Sequence, residues 1–291
     1  MDATSLDIDH LRSWIGRTET AEDDLSEQLV RGFRATLDQD PGEPRPGEAA
    51  PLAIHWCLSP AIRPMRELEP DGHPARGGFL PPVPLPRRMW AGGEIRHHDP
   101  LQVGDRVRRV SRIGDVQVKH GRTGPLCFVA VHHDFETERG LALSERHDIV
   151  YREMTPGRTG QPPEAAGGVP EAQASRAVDP TPTLLFRYSA LTFNGHRIHY
   201  DRAYATEVEG YPGLVVHGPL QATWLLHLAA GLRGGTAPCR FRFRGLSPVF
   251  DGAPLTIAGR LTDGTAGEAW TLTADGRVGM QAHFSDEVPD A

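Results

Sequence analysis

Cysteine is scarce in this chain. Cys57, Cys127 and Cys239 are odd in number and lack the paired spacing of a zinc-ligand set, which predicts a reduced, cytoplasm-like setting. No apolar run reaches membrane-spanning length. The first residues are acidic (Asp2, Asp7, Asp9), so neither a secretory leader nor an arginine-rich transit peptide is expected. No glycine-rich loop follows a strand in the manner of a dinucleotide or P-loop site. Excess basic charge is missing too: 31 Lys and Arg against 38 Asp and Glu leave a formal charge of −7, which argues against a nucleic-acid surface. Glycine and proline are plentiful instead, 32 and 26 of 291 residues, so many connections should be rich in turns. The length allows two modest domains or one large one.

Periodicity predicts a short helix over 6–15 and a second over 21–37, where Leu25, Leu29, Val30, Phe33 and Leu37 repeat at three- and four-residue intervals. Residues 52–58 read as a strand. The stretch 59–86 reads as a long irregular segment that should cover a ligand or a domain seam, or else be mobile. Strands follow over 89–96, 106–113, 116–119, 126–136 and 141–151. Residues 151–183 have almost nothing to bury and read as a linker. Residues 184–190 read as extended, 220–232 as an apolar helix, and 239–246, 255–262, 269–274 and 278–284 as strands. A helix apolar nearly all round should be wrapped by a sheet.

The halves echo each other. Pro100, Gly104, Arg112 and Asp115 recur as Pro248, Gly252, Arg260 and Asp263 at a constant offset of 148 residues. The same strand–turn–strand unit is therefore expected twice, with helix 21–37 as the counterpart of helix 220–232.

The chemistry concentrates in Asn194-Gly-His-Arg-Ile-His199-Tyr-Asp201, followed by His217-Gly218-Pro219 at the head of the apolar helix. His199 is the candidate acid–base group, since an unperturbed imidazole titrates near pKa ~6.5; the alternative is a structural histidine bonded to a carbonyl, and His196 is the rival base. Asn194 has no protonation chemistry but can orient a water; it also forms a turn readily with Gly195. Asp201 either fixes a histidine tautomer or caps the turn 202–206. The backbone N–H of Gly218 is the oxyanion candidate, and such donors are worth about 3–4 kcal/mol. His217 is expected to line the pocket. Arg187 and Arg197 flank the loop and are candidates for a substrate carboxylate. The pairs His97-His98 and His132-His133 point to opposite strand faces and do not converge on a metal.

This arrangement resembles the MaoC-like hotdog hydratases and dehydratases, whose pattern runs roughly Gly-Asp-x-Asn-Pro-Leu-His-x-Asp with a later His-Gly. The pattern's His falls on His199, its later Asp on Asp201 and its His-Gly on His217-Gly218. Its first carboxylate falls on Asn194, which is similar to a subgroup containing the mitochondrial type 2 hydroxyacyl-thioester dehydratases and the mesaconyl-type CoA hydratases. The resemblance implies an α+β double hotdog: a non-catalytic N-terminal hotdog over 1–155, a linker over 156–180 and a catalytic hotdog over 181–291, with one active site per chain. It implies reversible hydration of a trans-2-enoyl-CoA, short and branched or carboxylated, without cofactor or metal. A carrier-protein dehydratase of fatty acid synthesis and a non-catalytic acyl-CoA-binding protein are the alternatives. The substrate partner would be an acyl-CoA or acyl carrier protein thioester, with no nucleic acid or membrane partner, and the chain a monomer or a homodimer. Arg240, Arg242 and Arg244, alternating with Phe241 and Phe243, would receive the coenzyme A phosphates, or else form a solvated strand face.

Overall fold

The computed structural model describes residues 6–121, 124–153 and 169–287. Ten antiparallel strands form one continuous sheet: β1 (Thr18–Asp24), β2 (Arg87–His97), β3 (Arg106–Gly121), β4 (Gly124–Thr137), β5 (Gly140–Arg152), β6 (Ala174–Val178), β7 (Arg240–Gly245), β8 (Leu255–Asp263), β9 (Ala266–Leu272) and β10 (Val278–Ser285). Helices α1 (Ile8–Arg12), α2 (Glu27–Thr36), α3 (Pro182–Leu191) and α4 (Gly218–Leu232) complete the described elements, with several single turns. None of these helices is long and apolar enough to cross a membrane.

The strand order β1-β3-β4-β5-β2-β7-β10-β9-β8-β6 is the same unit read twice from opposite ends. Exchanging β1–β5 for β6–β10 reproduces it, and the halves join through the antiparallel pair β2–β7. The repeated turn is real: Gly104 (φ 90) and Gly252 (φ 89) take the same left-handed conformation just before β3 and β8, one that a side chain would disfavour.

The helix equivalence differs from expectation. By chain position α2 matches α3, not α4. Both have ten residues, are N-capped by a hydroxyl (Ser26 to Leu29 N–H, 3.1 Å; Thr181 to Leu184 N–H, 3.2 Å) and lead to a positive-φ residue, Asp38 and Phe193. The first half has only the turn Ile54–Cys57 where the second has α4.

Four further expectations are corrected. Residues 18–24 form β1 rather than the start of a helix, because their alternating burial pairs them with the edge of β3. Residues 52–58 are not a strand: Ala53, Ile54, Cys57 and Leu58 are all buried, a pattern without the period of two that a strand requires. Residues 184–190 lie in α3 rather than in an extended segment, since Thr181 caps it, Pro182 opens it and Leu185, Tyr188 and Ser189 share its buried face. The expected linker is shorter than 156–180 as well, because β6 pairs with β8 inside it; residues 154–168 lie outside the described residues.

Helix α4 forms the centre of the second half. Leu220, Trp224, Leu225, Leu226 and Ala229 are buried together with Gln221 and Thr223 on other faces, so the helix is enclosed nearly all round by β8, β9 and β10. A bulge in β2 between Trp90 and Gly92 turns Trp90 towards the start of this helix.

Candidate active site

Loop 194–201 leaves α3 through the left-handed Phe193 (φ 50) and reaches the N-terminus of α4. His199 sits on a single turn, Arg197–His199. Its Nδ1–H donates to the Val215 carbonyl at 2.7 Å, which fixes the tautomer and leaves the Nε2 lone pair without a partner among the described residues. Burial pushes its pKa down to about 4, only partly offset by the Val215 bond, so the ring is a neutral base near neutral pH. The carbonyl-bonded nitrogen is thus Nδ1, and an acid–base role would fall to Nε2 of the same ring.

His217 stacks on His199 with ring centroids 3.7 Å apart and shares a 2.8 Å hydrogen bond with Ser189. At 1% exposure it backs the His199 ring and does not line the cavity, which corrects its expected contact with substrate. Gly218 does line the cavity, and its N–H has no acceptor among the described residues. This is the open first turn of a fifteen-residue helix, where backbone donors favour developing negative charge. Trp90 packs so closely that a Cβ on Gly218 would come within 2.9 Å of its ring.

Asn194 Oδ1 accepts from the His196 N–H at 3.0 Å, shaping the turn, while its amide nitrogen makes no hydrogen bond among the described residues. Asp201 accepts from the Tyr204 N–H at 3.1 Å and pairs with Arg197 at 2.8 Å, so it caps a turn and does not orient a histidine.

The arginine expectations need revision. Arg197 lines the cavity, but it donates to Asp201 and the Pro70 carbonyl and lies over the Tyr204 ring at 4.1 Å. Arg187 is exposed on α3 and outside the cavity lining, because the helix turns Tyr188 inward in its place. Arg240 is held by Glu94 at 2.8 Å, and neither it nor Arg242 and Arg244 lines the cavity; the latter two occupy the exposed sheet face opposite the buried Phe241 and Phe243.

The cavity, of about 1090 Å³, lies between the two halves. The segment 59–86 covers it, as one of its two readings predicted. Gly72 lies so near Gly195 that a Cβ would stand 1.9 Å from the Gly195 carbonyl, and Arg197 N–H donates to the Asp71 carbonyl at 2.9 Å. This cover brings in residues that sequence reasoning missed. His73 Nδ1–H donates to Asp71 at 2.8 Å, and the His73 ring lies 4.1 Å from that of His196. The polar atoms of Asp71, His73 and His196 come within 4.8 Å of one another, close enough to share a cation, but a direct hydrogen bond already joins two of the three. Arg88 on β2 also lines the cavity, beside the buried Tyr151 and without a carboxylate partner among the ion pairs of the described residues. The available signal was an acid and a histidine, Asp71-Gly-His73, inside a long irregular segment.

Comparison with known proteins agrees with this geometry. The family model described as hydroxyacyl-thioester dehydratase type 2 matches residues 53–251. A mesaconyl-C(4)-CoA hydratase from Chloroflexus aurantiacus is 45% identical over 273 residues, covering 93% of this chain and 94% of that protein. Among solved structures, a MaoC-like dehydratase superposes with a TM-score of 0.71 at 13% identity, covering 94% of this chain and 99% of its own. A Mycobacterium tuberculosis protein described as a double hotdog does so with a TM-score of 0.54 at 14% identity, covering 93% and 95%. The fold is therefore an α+β double hotdog, and the chain belongs to the hydroxyacyl-thioester dehydratase type 2 family.

Proposed function

We propose that the protein reversibly hydrates a short, carboxylated trans-2-enoyl-CoA of the mesaconyl type to the 3-hydroxyacyl-CoA. The observation that carries this reading is His199 with its Nδ1–H held by Val215 and its Nε2 without a partner among the described residues, in one cavity with the Gly218 N–H, which has no acceptor among them. His199 takes a proton from water, and the amide nitrogen of Asn194 holds that water in line. The Gly218 N–H receives the thioester oxygen as negative charge develops on it. The site is complete within one chain: residues up to 155 supply the cover and one wall, and the second half supplies the acid–base loop. A single chain therefore suffices for turnover, one site per chain. The free cysteines favour a reducing cytoplasmic setting.

The substrate's free carboxylate pairs with Arg88, since an unpaired carboxylate in this cavity would be costly. Replacing Arg88 with Gln should lower kcat/KM for a mesaconyl-type CoA ester by about 10- to 100-fold, the worth of a charge-assisted hydrogen bond, while crotonyl-CoA changes little. Efficiency that rises steadily with chain length and ignores Arg88 would instead favour the fatty-acyl carrier-protein dehydratase.

A further inference from the structure

Hydration requires two proton movements, one from water and one to the α-carbon, and Asn194 can perform neither. The cavity contains a second imidazole arranged for the task. Asp71 receives Nδ1–H of His73 at 2.8 Å, as a carboxylate does when it fixes a catalytic histidine, and no group among the described residues bonds the Nε2 of His73. From His73 an unbroken row of rings leads to the base: His73 to His196 at 4.1 Å, His196 to His199 at 5.4 Å. Arg197 ties both ends of this row together, donating through its backbone to the Asp71 carbonyl and through its side chain to that of Pro70.

We infer that His73, oriented by Asp71, is a second acid–base residue, which protonates the α-carbon of the substrate while His199 deprotonates the water. This inference rests on the hydratase reading given above. As the water oxygen bonds to the β-carbon, His199 Nε2 receives its proton. The alkene electrons move into the thioester as an enolate held at Gly218. The enolate then collapses, and its α-carbon takes the proton from His73. One proton has entered His199 and one has left the Nε2 of a protonated His73, and exchange with solvent in the cavity restores both. The groups facing His73 fit this cycle. Burial and then the charge of Arg88 lower its pKa, with a smaller effect from Arg76, while Asp71 raises it. A substrate carboxylate paired with Arg88 neutralises that charge and so raises the His73 pKa when substrate is bound.

The test is a kcat–pH profile with a mesaconyl-type CoA ester on the full chain. His73→Gln should lower kcat by at least about 10²-fold with KM within a few-fold. Asp71→Asn removes the carboxylate that retains the His73 proton, so the alkaline limb should move to lower pH by a unit or more while the acid limb stays in place. A purely structural role would reduce activity without moving that limb. Wild-type turnover with His73→Gln within threefold of it, or with the alkaline limb of Asp71→Asn unmoved, overturns this inference alone. Absence of wild-type turnover overturns the hydratase reading with it. Should His73→Gln fail to fold, the Asp71→Asn limb still decides.

Discussion

His199→Gln should reduce hydration kcat by about 10²- to 10⁴-fold while leaving the fold intact. Glutamine keeps a polar side chain near the Val215 carbonyl, so the hydrogen bond that anchors residue 199 can survive without the basic nitrogen. The loss should fall on kcat, because His199 acts on water and not on the acyl chain. Steady-state kinetics with a circular dichroism check distinguishes this from misfolding. If His196→Gln gives the large loss and His199→Gln a mild one, the two imidazoles exchange roles.

Stability should fall steeply between pH 7 and pH 5. His199 titrates near pKa ~6.5 in the unfolded chain and at about 4 in the folded one. Its folded pKa is depressed, so its contribution is complete above the unfolded value and disappears as pH drops towards 4. By pH 5 this one residue costs about 2 kcal/mol, the linkage value for such a shift. Burial also lowers His133, His217 and His227, and they add in the same direction. Urea midpoints measured across this range should therefore fall with pH, with the m-value steady. A midpoint that is flat or rises on acidification would show that these histidines are not buried in neutral form.

Much of this was legible in the residues. The Asn194–Asp201 loop, the Gly218 start of α4 and the repeated Gly104 and Gly252 turns all depend on local chemistry, and local chemistry is what a sequence displays. Helix α3 was misread because five apolar residues among 184–190 look extended until Thr181 and Pro182 are recognised as a cap and a first turn. β1 was misread because an edge strand shares Thr and Glu with a helix start, and only its pairing with β3 decides. Asp71, His73 and Arg88 could not be read as site residues. They come from the other half of the chain: the folding of segment 59–86 against loop 194–201 brings Asp71 and His73 to His196, and β2 brings Arg88 to the same cavity. Of the two arginines that flank the loop in sequence, Arg187 follows its helix away from the cavity, while Arg197 lines it with an ion pair to Asp201.

The reaction proposed for this cavity is addition of water across a carbon–carbon double bond of a thioester. Incubating the protein with a mesaconyl-type CoA ester in ¹⁸O-labelled water and analysing the intact thioester by mass spectrometry tests it directly. The account predicts one ¹⁸O in the hydroxyl of the 3-hydroxyacyl-CoA, with the thioester uncleaved. Release of free coenzyme A with ¹⁸O in a carboxylate, or binding without any label incorporated, would contradict it.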